Sequence, residues 1–138
     1  MYDRILVPTD GSPTAGAAMQ AAVEMAARDG ADIHVLNVIN TRYYDTSIDS
    51  AVKPLRERGE RYVDSLADKA TDADVPVTTT VELGRPARTI LDYVDDHDVD
   101  LVVMGTSGRG DLERRLLGST TEYVVTHADV PVHVVPAV

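Results

Sequence analysis

Leu101-Val102-Val103-Met104-Gly105-Thr106-Ser107-Gly108-Arg109-Gly110 joins four consecutive apolar residues to a run of glycines and hydroxyls. An apolar run that short, with no polar alternation, reads as a strand buried on both faces. The glycines after it let the backbone turn sharply, so the strand ends near Met104. Ile5-Leu6-Val7-Pro8-Thr9-Asp10-Gly11-Ser12 repeats the arrangement close to the start, with three apolar residues followed by proline and small polar ones. Two such strands belong inside a parallel sheet, and a parallel sheet needs helices over both faces.

The intervening segments supply those helices. Pro13 to Asp29 is alanine-rich, places Met19, Ala22, Val23 and Ala26 on one face at helical spacing, and meets a natural stop at Gly30. Ile33 to Ile39 reads as a second buried strand, and Asn40 to Ser50, polar and without period, as a surface loop. Val52, Leu55, Tyr62, Val63, Leu66 and Ala70 recur at helical spacing and predict the longest helix. Gly59 within it lowers helix propensity by about 1 kcal/mol, which marks a bend or a close approach. Val75 to Leu83 carries Thr78-Thr79-Thr80 and suits a strand nearer the sheet edge. Pro86 opens a helix running to His97, a further helix covers Ser119 to His127, and Val130 to Val135 forms a fifth strand. The alternation predicts one α/β domain over residues 1–138, an open five-stranded parallel sheet with helices on both faces and a Rossmann-like architecture.

Composition narrows the function. The chain has 138 residues, with 23 Asp and Glu against 13 Lys and Arg, for a formal net charge of -10. Lys53 and Lys69 are its only lysines, and it has neither Phe nor Trp. That balance reads as a halophilic adaptation, since molar salt shortens the Debye length to about 3 Å and screens surface repulsion. It also argues against a nucleic-acid partner, which needs a basic face. The absence of cysteine excludes disulfides and thiolate metal sites. No apolar run approaches the roughly 18 residues of a membrane span. Met1-Tyr2-Asp3-Arg4 leads directly into a strand without a signal pattern, so the expected location is cytoplasmic. His34, His97, His127 and His133 fall on different predicted elements and lack metal-ligand spacing, so none is assigned catalysis.

Ligands of open α/β sheets bind beyond the carboxyl ends of strands. The second strand ends in Asn37-Val38-Ile39-Asn40 and the third in Glu82-Leu83-Gly84-Arg85, whereas small polar residues follow only the first and fourth. If those two are neighbours, their loops face one crevice. Gly105 and Gly108 allow amides to point inward and collect an anion. Gly118-Ser119-Thr120 opens the next helix, whose free amides and positive dipole end attract phosphate. Arg109, Arg114 and Arg115 are a local exception in an acidic chain, although Arg114 and Arg115 read first as a solvated helix face. A polyphosphate suits such a loop best. Neither familiar phosphate motif fits, because Asp111 follows Gly110 where a P-loop needs Lys, and only Gly11 follows the first strand. Any one of these glycines could serve a turn alone, Asp10 with Ser12 could cap the first helix, and Tyr43 and Tyr44 read as surface loop before adenine platform.

Gly105-x2-Gly108-x9-Gly118-Ser119 has the spacing of the ATP-binding motif in the universal stress protein family. The opening Ile5 to Ser12 and the closing Pro131-Val132-His133-Val134-Val135 also resemble that family, so the likeness spans the chain. The resemblance implies strand order 3-2-1-4-5 and an adenine nucleotide, ATP with Mg or Mn. It implies Asp10 near the ribose or a phosphate-bound metal, with Pro8 and Thr9 beside it. Val38, with Asn37 next to it, would line the adenine, and Met104 and Gly105 would start the loop. Gly108, Arg109, Gly118, Ser119 and Thr120 would hold the phosphates. It further implies a homodimer through Val132 to Val135. With no evident base paired to a nucleophile and no dedicated lysine, the expected role is a nucleotide-responsive module in which ATP orders the loop from Gly105 to Gly118, with at most slow hydrolysis. Two alternatives stay open, a nucleotide-free dimeric interaction module and a slow ATP hydrolase or transferase.

Overall fold

The computed structural model describes residues 1–106 and 117–136. Strands and helices alternate along the chain as β1 (Arg4–Pro8), α1 (Pro13–Asp29), β2 (Asp32–Asn40), α2 (Asp49–Asp72), β3 (Val77–Gly84), α3 (Pro86–Asp96), β4 (Leu101–Gly105), α4 (Ser119–His127) and β5 (Val132–Val135). All four strand pairings are parallel and the order is β3-β2-β1-β4-β5, as expected. β5 is shorter than its sequence reading. Pro131 has no N–H and contributes only its carbonyl, which accepts from the Val102 amide at 3.0 Å.

The strands are apolar on both sides because each face has its own helical layer. Alternation along β1 sends Ile5 and Val7 toward α1 and α2 and Leu6 toward α3 and α4, and all three are fully buried. Burying a side chain of that size stabilises the fold by about 1.5–3 kcal/mol. α1 presents Ala15, Ala18, Ala22 and Ala26 around Met19, a face of small residues that lets the helix lie close to the sheet. Gly30, at φ 73°, ends it where the alanine pattern stops. α2 buries Val52, Val63, Leu66 and Ala70, while Leu55 and Tyr62 of the same periodic set are only half-buried.

Gly59 settles the choice between bend and close approach in favour of contact. A Cβ there would stand 2.5 Å from Asn37 Oδ1 and 3.0 Å from Val81 Cγ1, so glycine lets α2 descend onto β2 and β3.

A polar group, His34, enters the second layer. The buried His34 Nδ1 lies 2.6 Å from Tyr93 Oη, which also pairs with Thr80 Oγ1 at 3.2 Å. Tyr93 stacks on His97 with ring centroids 3.8 Å apart, and the His34 and His97 rings come within 5.8 Å. Histidines that the sequence spreads over separate elements are thus neighbours. Burial pushes the His34 pKa below its ordinary 6.5, Arg4 acts in the same direction, and Asp32 opposes them.

Among the described residues no helix is long and apolar enough to cross a membrane. The central strand β1 has β2 and β3 on one side and β4 and β5 on the other. The turn after β1 leads to α1 in one layer, and α4, which follows β4, lies in the other. A crevice therefore opens between the carboxyl ends of β1 and β4.

Candidate functional site

The turn after β1 is held twice by the neighbouring strand β2. The Thr9 amide donates to the Leu36 carbonyl at 2.9 Å, and Asn37 Nδ2 donates to the Thr9 carbonyl at 2.9 Å. Thr9 Oγ1 then accepts from the Gly11 amide at 3.1 Å, and Asp10 Oδ1 accepts from the Ser12 amide at 2.9 Å. Asp10 thus shapes the turn before α1. Ser12 stands at the N-cap position without a capping side-chain bond, its Oγ lying instead 3.0 Å from Thr14 Oγ1. The reading of Ser12 as a side-chain cap of α1 is therefore corrected, because its hydroxyl pairs with Thr14, while Asp10 accepts from the amide of the N-cap residue itself. Gly11 has φ +84°, and the Tyr62 ring occupies the space its side chain would need.

The opposite wall comes from β4 and α4. The Gly105 carbonyl accepts from Thr121 Oγ1 at 2.9 Å, and the Thr106 carbonyl accepts from the Gly118 amide at 2.7 Å. These two bonds bring the start of α4 against the end of β4. Gly118 is the N-cap residue and has no side chain with which to cap the helix. The first-turn amides of a helix have no partners within it, so this end offers N–H donors together with the positive end of the helix dipole. α1 begins beside the same space, also without a side-chain cap.

A cleft of about 410 Å³ lies between these walls, within the range of small-molecule sites. Pro8, Thr9, Asp10, Val38, Met104, Gly105, Gly118, Ser119 and Thr120 all line it, so nine residues singled out from the sequence converge there. Gly108 and Arg109 lie outside the described residues, as do Arg114 and Arg115. Asn37 lines the cleft too, but its amide nitrogen is engaged with Thr9, which makes it a clasp between β2 and the β1 turn. Leu36, Val38, Ile90 and Met104, neighbours in the layer of α3 and α4, give the cleft an apolar lining suited to a flat ring.

Several lining residues escape a reading by sequence. Tyr43 and Tyr44 border the cleft as well as belonging to the surface loop, exposed by 70% and 40%. Leu55, Arg58 and Tyr62 reach it from α2, on positions three and four residues apart that share a helix face. Their spacing was visible, but it reads equally well as core or solvated surface. Among the described lining residues Asp10 is the only carboxylate and Arg58 the only cation. No group of three or more metal-ligating side chains occurs among the described residues.

The fold and cleft define a doubly wound parallel α/β protein with an open crevice at its switch point. Residues 1–136 match the model of the universal stress protein family, and the chain belongs to that family. It is 31% identical to a universal stress protein of Methanocaldococcus jannaschii over 98% of this chain and 82% of that one. Among solved structures, the hypothetical protein MJ0577 superposes with a TM-score of 0.90 at 28% identity, covering 100% of this chain and 98% of the other. Two complexes share the fold at lower identity. One is a universal stress protein with cAMP (TM-score 0.75, 23% identity, 98% and 97% covered). The other is the Archaeoglobus fulgidus universal stress protein with dAMP (TM-score 0.71, 20% identity, 96% and 97% covered).

Proposed function

We propose that the switch-point cleft binds ATP and that the protein is a nucleotide-responsive, homodimeric regulatory module with at most slow hydrolysis. The observation that carries this reading is the start of α4 at Gly118, held beside the β1 turn across a cleft of about 410 Å³. Amides at a helix start suit a phosphate chain, and the hydroxyls of Ser119 and Thr120 add donors to them. The apolar stretch around Val38 and Met104 suits adenine. Two proteins of this fold are complexes with adenine nucleotides, cAMP and dAMP, which supports that ligand class.

Magnesium or manganese fits as part of the nucleotide. A phosphate-bound Mg²⁺ commonly takes one or two carboxylates from the protein and keeps several waters, a role open to Asp10. Efficient phosphoryl transfer calls for a charge clamp and a positioned base. The described lining contains neither Lys nor His, which favours binding over turnover. β5 is an edge strand, so a second copy pairing along Val132 to Val135 is the expected dimer contact.

Calorimetric titration of ATP with Mg²⁺ tests the reading, with Gly118→Val as the discriminating variant. Gly118 has φ -63°, open to any residue, so the added side chain acts through the space it fills. The expected result is saturable binding to the native protein and at least about tenfold weaker binding to the variant, a difference near 1.4 kcal/mol, with little change in melting temperature. Absence of heat with the native protein overturns the proposal.

A further inference from the structure

Among the described residues that line the cleft, Asp10 is the single carboxylate and Arg58 the single cation, which gives weight to Arg58. Arg58 lines it from α2, two turns along a chain segment that is otherwise part of an exposed helix surface. Leu55 and Tyr62 share its helix face and line the same cleft. The height of this face is set by its neighbour. Gly59 lets α2 pack directly on Asn37, whose own amide holds the carbonyl of Thr9. One turn further along α2, Tyr62 covers Gly11 in the turn after β1. Arg58 is therefore carried to the strand ends by two close backbone approaches, at Gly59 and at Gly11.

Its present partner is weak. Arg58 Nη2 donates to Tyr44 Oη at 3.4 Å, beyond the usual 2.7–3.2 Å, and both side chains are exposed. A neutral phenol at that distance is readily exchanged for an anion, to which guanidinium bonds are shorter and about twice as strong. The rest of the described lining supplies no other side-chain cation, and Asp10 disfavours a bare anion nearby.

We propose that Arg58 is the residue that reads ligand charge in this cleft, leaving Tyr44 to clamp an anionic group and so favouring phosphorylated ligands over the uncharged nucleoside. This rests on the nucleotide-binding reading and adds to it a specificity-determining residue from α2, outside the glycine motif. It predicts that affinity depends on Arg58 in proportion to the negative charge on the ligand.

The test titrates ATP, AMP and adenosine into the native protein and into Arg58→Gln, which keeps polarity but not the charge. The expected result is a loss of about tenfold or more for ATP, a smaller loss for AMP and a change within about twofold for adenosine. Equal losses for all three ligands, or no loss for ATP, overturn the assignment. Tyr44→Phe removes the present partner, and the result expected is unchanged or tighter ATP binding. A loss matching that of Arg58→Gln would instead make the pair a loop clasp and sink the inference. The melting temperature of each variant, expected to stay close to the native value, separates charge reading from damage to the fold. Failure of the native protein to bind any of the three ligands overturns the nucleotide reading itself, whereas native binding with an indifferent variant overturns only the role of Arg58.

Discussion

The ring of Tyr62 lies where a side chain on Gly11 would have to go, with Cζ 2.4 Å from the position of the missing Cβ. α2 thereby grips the turn after β1, and the backbone there has φ +84°, a conformation that side chains rarely adopt. Two costs follow for Gly11→Ala. The left-handed backbone costs about 1 kcal/mol, and the overlap with a packed ring adds about 1–3 kcal/mol. Chemical denaturation of Gly11→Ala, Tyr62→Ala and the double variant separates them. The overlap is expected to vanish in the double variant and the backbone cost to remain. Additive effects would mean that the two residues are not coupled.

Gly59→Ala sets two effects of opposite sign against each other. Alanine raises helix propensity by about 1 kcal/mol. Its methyl group would meet Asn37 Oδ1 at 2.5 Å, and Asn37 is buried with its amide fixed on Thr9. Neither the side chain nor the helix can yield freely, and overpacking of that kind costs about 1–3 kcal/mol, so the expected outcome is net destabilisation. Denaturant midpoints measure it. A more stable variant would show that α2 shifts without resistance.

His34 makes stability depend on pH in a defined direction. Burial first, and Arg4 second, hold its pKa below 6.5 in the folded chain, with Asp32 opposing and His97 adding slightly in the lowering direction. Tyr93 and Thr80 face the same group as neutral partners. A lowered histidine pKa means that the unfolded chain binds the proton more readily. The stabilisation is therefore complete above 6.5 and is lost as pH falls toward the folded pKa. Denaturation midpoints of the native protein and His34→Asn between pH 7.5 and pH 5 check this. The native curve should fall more steeply below pH 6.5 than that of the variant, and parallel curves would remove His34 as the cause.

A net charge of -10 predicts a response to salt. Raising KCl from 0.1 M toward 1 M shortens the Debye length from about 10 Å to about 3 Å and relieves repulsion between surface carboxylates. Melting temperature at pH 7 is expected to rise across that range. A flat or falling profile would separate the acidic composition from any adaptation to salt.

How far the sequence foretells the structure varies with the kind of residue. The limits of α1 and α4 are legible because Pro13, Gly30 and Gly118 are chemical punctuation at the helix ends. The buried strands are legible because Ile5-Leu6-Val7 and Leu101-Val102-Val103-Met104 contain no polar residue to accommodate. Leu55 and Tyr62 fit the helical period and read as core. They wall the cleft instead, Tyr62 with its ring over Gly11 in the turn after β1. Periodicity reports which face is apolar and says nothing of where along its length a helix finds its partner. Arg58 is silent for the same reason, since a charged residue at helical spacing looks like solvated surface. The meeting of His34, Tyr93 and His97 depends on strand order and register, which join residues 59 positions apart. Of the glycine motif, Gly105 and Gly118 fall on the same wall of the cleft, joined by the bond from the Gly118 amide to the Thr106 carbonyl.

The account stands on main-chain N–H groups at the switch point receiving a phosphate chain. Amide chemical shifts of the isotope-labelled protein, followed during addition of ATP with Mg²⁺, address that directly. Saturable shifts concentrated at Thr9 to Gly11, Gly105 and Ser119 to Thr121 are the predicted result. Unmoved spectra, or shifts confined to surfaces away from those residues, would contradict it.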